Sequence, residues 1–359
     1  MSRSSAGATF LVLVLTALVP AAAQARTKSV YMGVPPKSQS TFQNTYNADV
    51  NAFFPKGITI NAGDKVKFIP AGFHTVELPA KGSQPTALFG PDGNKIAGDN
   101  DAAGQPFWFN GQDEQFFSQP IIQSNNFGKT LKYTGKQRVE TGLPLADKPA
   151  PMTVKFTKAG TFTYYCNVHP GMKAKVHVRS RHAKRVPASA DRRALRNQVN
   201  AAVKVAKDLN TSKPADGTVQ VGAGGKGGVE VYRFFPDATT VPVGTTLRFA
   251  MSTGSFDIHT ATTGPGNPET EPASYLGAMA ASLTSPKVDQ AAVYPSELPG
   301  GATATLTPAL HGNGFWNTGI MAAKSAPLPS AGTVTFGQAG TYTFYCLIHP
   351  FMKATVTVS

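Results

Sequence analysis

"AGTFTYYCNVHPGMKAKVHV", residues 159–178, sets a cysteine, a histidine three residues on and a methionine three further: Cys166, His169 and Met172. Before the loop, Phe162, Tyr164 and Cys166 alternate with Thr161, Thr163 and Tyr165. After it, Ala174, Val176 and Val178 alternate with Lys173, Lys175 and His177. A period of two on both sides predicts two half-buried strands joined by a short loop. The loop then carries all three nitrogen- and sulfur-bearing side chains.

The same text occurs once more, as "AGTYTFYCLIHPFMKATVTV" over 339–358, with Cys346, His349 and Met352. These are the only two cysteines in 359 residues. Other segments repeat in the same order. "NAFFPKGITINAGDKVKF" (51–68) matches "YRFFPDATTVPVGTTLRF" (232–249), and "ETGLPL" (140–145) matches "NTGIMA" (317–322). A histidine follows the first pair each time, His74 in "FHTV" and His259 in "IHTA". Such self-similarity predicts one unit written twice. Short alternating strands between turn signals predict an all-β chain of two Greek-key sandwiches.

The expected organisation is a leader over 1–25, a first domain over 26–180, a basic linker over 181–215 and a second domain over 216–359. The leader reading rests on Arg3, the apolar run "ATFLVLVLTALVPAAA" and the small-x-small end at Ala23–Ala25. It predicts Sec-type export to the periplasm, cell envelope or exterior. Within the linker, "ASADRRALRNQVNAAVKVAKDLN" (188–210) lacks Gly and Pro and spaces Leu195, Val199, Val203 and Leu209 as a helix does. A polar excursion over 81–137, with "PFWFNG" around Trp108, reads as a large surface loop.

The net charge of +14 is uneven: Lys173 to Lys213 holds twelve Lys/Arg against two Asp. This segment is expected to be a solvated linker, or a contact with an acidic partner protein or an anionic envelope surface. No nucleic-acid-reading motif accompanies the charge. The sequence leaves oligomeric state open.

A thiolate, two imidazoles and a weak thioether are the ligand set of a blue-copper centre. The soft sulfur suits Cu(I), the imidazoles suit either oxidation state, and little must rearrange when one electron moves. Zinc competes for Cys and His but gains little from Met. A bridge between Cys166 and Cys346 requires two loops of two domains to meet.

With Cys-x-x-His-Pro-x-Met downstream and "GDKVKF…FHTV" or "GTTLRF…IHTA" upstream, each unit resembles the cupredoxins, the plastocyanin- and amicyanin-like type 1 copper proteins. The resemblance covers most of each unit and weakens over 81–137. It implies two copper ions: one on His74, Cys166, His169 and Met172, the other on His259, Cys346, His349 and Met352. It implies electron transfer with a redox partner protein and no catalysis. Copper carriage or storage uses the same ligands. A two-domain copper oxidase or nitrite reductase needs more histidines, commonly one just before the Cys, where Tyr165 and Tyr345 stand here. Of the seven histidines, His177, His182 and His311 lie outside the two quartets. The units depart from the family where Thr75 and Thr260 follow the first His and Leu347 follows the second Cys. Leu347 is expected to weaken the tie between ligand loops that Thr75 and Asn167 can make.

Overall fold

The computed structural model describes residues 25–359 except Pro170, Pro286 and 324–327. The leader expected over 1–25 therefore lies, but for its last residue, outside the described residues.

The chain forms two β-sandwiches with the same strand order. In the first half, one sheet runs Phe53–Phe54, Thr27–Met32, Lys65–Pro70, Met152–Phe156, Thr130–Tyr133. The facing sheet runs Val139–Glu140, Glu77–Leu78, Gly160–Tyr165, Lys173–Arg179, Gly57–Asn61. The second half repeats this with Val229–Phe235, Thr218–Gly224, Thr246–Met251, Ala331–Phe336 and Ala304–Leu306 facing Ala238–Val241, Lys353–Val358, Gly340–Tyr345, Thr262–Thr263 and Trp316–Asn317. In both halves the first strand pairs parallel with the second strand after the Phe-Phe-Pro segment, Lys65–Pro70 or Thr246–Met251, the strand between them lying in the facing sheet. Such pairing requires a crossover between the two sheets.

The alternation in the opening segment decides the facing. Tyr164, Ala174, Val176 and Val178 turn inward with Phe53, Phe68, Val154 and Phe156, while Lys173, Lys175 and His177 stay in solvent. In the second half Phe344, Ala354, Val356 and Val358 do the same against Phe249, Trp316 and Phe336. Cys166 with Met172, and Cys346 with Met352, belong to these two cores.

The halves are joined by far more than a linker. Ala48–Val50 of the first half adds antiparallel to Val229–Val231, extending the second half's sheet to six strands. The linker helix, Ala188–Leu209, lays Leu195, Val199, Ala202, Val203, Ala206 and Leu209 onto a core drawn from both halves, including Phe42, Val50, Phe54, Val231 and Phe235. Its Arg192, Arg193, Arg196, Lys204 and Lys207 remain exposed, which divides the helix into one apolar and one basic face.

The excursion over 81–137 is not the surface loop expected of it. Phe89–Lys95 and Asp113–Phe117 form a hairpin whose Phe107, Phe109 and Phe117 pack against Leu276, Met279, Ala292 and Phe315 of the second half. Trp108 Nε1 donates to the Pro295 carbonyl at 2.8 Å, and the Tyr294 hydroxyl donates to the Asp113 carbonyl at 2.6 Å. The Gln115 N–H donates to Gln290 Oε1 at 2.9 Å, and Gln290 Nε2 returns to the Gln115 carbonyl at 3.1 Å. Residues 89–117 thus form a clasp whose Phe107, Phe109 and Phe117 share a core with residues of the second half, while Leu131 and Tyr133 at the end of the excursion join the first half's core. Among the described residues no helix is long and apolar enough to cross a membrane.

Candidate metal centres

Each strand–loop–strand unit closes its loop on its own backbone. The Cys166 N–H donates to the Met172 carbonyl and the Met172 N–H to the His169 carbonyl, both at 3.0 Å. The second loop repeats both bonds, at 3.1 and 2.8 Å, between Cys346, Met352 and His349. This ring holds thiol and imidazole on one side of a short loop, at the end of a rigid hairpin. Met172 and Met352 lie buried in the same cores as their cysteines.

His74 enters from the loop before Glu77–Leu78, and His259 from the short strand Ile258–His259, which pairs with Met321–Ala322. His74 Nδ1 lies 3.0 Å from His169 Nδ1, and Cys166 Sγ lies 3.5 Å from His169 Nδ1. In the second half the Nδ1 atoms of His259 and His349 are 3.2 Å apart, with Cys346 Sγ at 3.7 and 3.8 Å from them. In each triad one nitrogen or sulfur per residue falls within 4.8 Å of the others. These are the only such clusters of His, Cys, Asp or Glu among the described residues. The structure thus brings together Cys and both His of each quartet from positions some ninety residues apart.

Glycines shape the cradles. A Cβ at Gly33, whose φ is +105°, would lie 2.7 Å from the His74 ring. A Cβ at Gly222, at φ +71°, would lie 2.6 Å from His259 Nε2. Only glycine accepts this backbone and leaves the imidazole its place. Sequence reading did not single out either residue, although a lone glycine in a strand pattern signals close approach.

The electrostatics favour an ionised sulfur. Burial opposes ionisation of Cys166, but hydrogen bonds from His169 and His74 outweigh it and hold the thiol well below its usual range. The same balance, with His259 and His349, brings Cys346 down to about 5. His169 is pushed up to about 9: burial lowers it, while the charge of Asp257 and the Cys166 sulfur raise it more strongly. Metal ligation requires thiolate and neutral imidazole, so binding a cation here would release protons. Two buried, converging Nδ1 atoms beside a thiolate fit a soft, N/S-preferring ion such as copper.

The loss expected at Leu347 is largely made up. In the first half the Asn167 N–H donates to Thr75 Oγ1 at 2.8 Å, and the Thr75 hydroxyl donates to Asn167 Oδ1 at 2.8 Å. In the second, the Leu347 N–H still donates to Thr260 Oγ1 at 2.8 Å. The Thr262 hydroxyl reaches the Thr260 hydroxyl at 2.9 Å and Asn317 Oδ1 at 2.7 Å. The Thr75 and Thr260 N–H groups each donate to their cysteine sulfur at 3.4 Å. The backbone tie therefore survives, and Leu347 packs instead into the core under the clasp.

The two centres differ behind the first histidine. His259 Nε2 lies 3.2 Å from Glu230 Oε1, a carboxylate with no exposed surface. At the matching position the first half has Asp49, one methylene shorter, and His74 Nε2 is buried without a partner. A carboxylate on the far imidazole nitrogen fixes the ring and raises its donor strength. The remaining histidines stand apart. His177 meets Thr161 on the exposed sheet face, and His182 is exposed. His311 bridges Asp101 at 3.0 Å and Glu297 at 2.8 Å, and Glu297 above all raises its pKa. It fastens the clasp, which no repeat comparison could reveal.

The two centres open onto one cleft of about 680 Å³ between the halves, lined by His74, His169, Tyr232, Asp257 and His349. Phe73, Leu145 and Phe351, three of the five exposed large apolar side chains among the described residues, also line it.

No protein-family model matches the chain, and no curated protein matches it. Among solved structures it is similar to oxidised plastocyanin from Dryopteris crassirhizoma, at 22% identity over 40% of this chain and 99% of that one, with a TM-score of 0.21. It is similar to amicyanin from Paracoccus versutus at 18% identity over 41% and 86% of the respective chains, TM-score 0.21. A purple cupredoxin from Nitrosopumilus maritimus aligns at 16% identity over 40% and 100%, TM-score 0.22.

Proposed function

We propose that this chain is an exported, cupredoxin-type electron-transfer protein with two blue-copper centres, one in each half. The observation that carries the reading is the pair of Cys-His-His triads, each combining an upstream histidine with the Cys and His of a strand–loop–strand that also carries the buried Met172 or Met352. When bound, copper supplies a one-electron couple. The chain does the rest. The closed loops fix Cys and the second His, and the glycine cradles fix the first. The Thr75 and Thr260 N–H groups draw charge from the thiolates, and such hydrogen bonds tune a reduction potential. Nothing in this arrangement must move when the charge of the centre changes. The exposed basic face of the linker helix suits an acidic redox partner, or an anionic envelope surface.

Copper carriage would use the same donors. Cys166 and Cys346 are only 6% and 0% exposed, and such burial opposes the open ligand exchange that carriage needs. An oxidase or nitrite reductase reading finds no third cluster among the described residues, and His311 is held by two carboxylates. Repeated anaerobic reduction and reoxidation of the copper-loaded protein tests the reading. The visible band should bleach and return over many cycles with copper retained. Loss of copper to a chelator within seconds, from a protein without colour, would favour carriage.

A further inference from the structure

One carboxylate stands between the two centres. Asp257 Oδ2 lies 3.8 Å from His169 Nε2 of the first half and 4.0 Å from His349 Nε2 of the second. These are the ring atoms that point away from the sulfur-facing Nδ1 atoms. The carboxylate is 2% exposed and held from both sides. The Tyr232 hydroxyl donates to Oδ2 at 2.8 Å, and Asn51 Nδ2 of the first half donates to it at 3.3 Å. The Ile258 N–H donates to Oδ1 at 2.8 Å. The group is not repeated: Asp257 stands two residues before His259, and Gly72 two before His74. Among the described residues Asp257 is the one carboxylate within 4.0 Å of a histidine of each centre.

We propose that Asp257 couples the two centres, so that electrons exchange between them inside the protein through the His169–Asp257–His349 contact. The inference rests on the copper reading above. One electron leaves the reduced centre and arrives at the oxidised one; no covalent bond breaks and no proton moves. Electron tunnelling weakens exponentially with the gap between edges, and here the two ring edges share one buried oxygen atom. His169, with 7% of its side chain exposed, offers its edge to the other half of the chain and hardly to solvent. His349, at 19%, is the more open of the two. Electrons entering at the second centre thus have an internal path to the first. A buried charge in contact with both ligand rings also acts on both centres at once, since low local dielectric lets it act strongly. Asp257 is a positioning residue in this account, acting through His169 and His349.

The test uses the full, copper-loaded chain. Cys346→Ser and Cys166→Ser proteins give the band of each centre alone. Photoreduction delivering less than one electron per chain should then be followed in the unaltered protein by a phase independent of protein concentration, in which one band recovers as the other bleaches. Asp257→Ala should slow that phase by an order of magnitude or more with both bands retained. Asp257→Asn keeps the shape, removes the charge and guards against misfolding of the alanine variant; it should raise the midpoint potentials of both centres together. Two bands without any intramolecular phase, an unslowed Asp257→Ala protein, or a shift confined to the second centre would overturn the proposal. A colourless protein at the outset would instead sink the copper reading itself.

Discussion

Cys166→Ser is expected to remove half of the bound copper and half of the visible absorption near about 600 nm, the region of Cu(II)–thiolate transitions. Cys346→Ser should remove the other half, and the double variant should be colourless. A serine oxygen is a far poorer partner for a soft ion than a thiolate, so the effect is close to complete at each altered site. The two cysteines are free and buried in separate cores, so neither loss should propagate into the other sandwich. Copper analysis beside the spectrum checks this. A single substitution that abolished the whole band would show that the centres do not bind independently.

Phe109→Ala is expected to destabilise the chain by about 3–5 kcal/mol, the usual result of emptying a buried phenylalanine site. Phe109 has no exposed surface, lies 4.9 Å from the Phe107 ring in a stack, and stands 5.5 Å from Tyr294 of the other half. A residue on a surface loop would change stability by no more than about 0.5 kcal/mol. Urea denaturation separates the two outcomes, with Phe73→Ala, at a residue 49% exposed, as the control. Because the clasp ties one half to the other, the loss should also reduce the cooperativity with which the halves unfold.

The contrast between these two residues shows what the amino-acid order makes legible. Cys166 sits in a strict alternation and in a repeated loop, so strand, facing and chemistry could be read together. His74 was found only because His259 stands at the same place in the other copy. Phe107 and Phe109 have no such support. They lie among Gly, Asn and Gln with no period, and their partners, Leu276 and Phe315, are far along the chain. The linker helix falls between these cases. Its apolar spacing was readable, but not the two-sided core it covers. Asp257 and Glu230 were silent for a related reason. Asp257, just before His259, looks like ordinary loop polarity until the His169 ring is brought near it, and Glu230 sits in a strand 29 residues ahead of the His259 it meets. At Leu347 the side-chain half of the tie is lost as expected, but a backbone N–H, present in any residue, still carries the bond to Thr260.

The most direct measurement is the copper content of the purified, oxidised protein taken together with its visible spectrum. The account predicts two copper ions per chain and an intense thiolate band near about 600 nm that both cysteines share. Copper-saturated, oxidised protein lacking that band, or a chain that retains zinc in preference to copper, would contradict it.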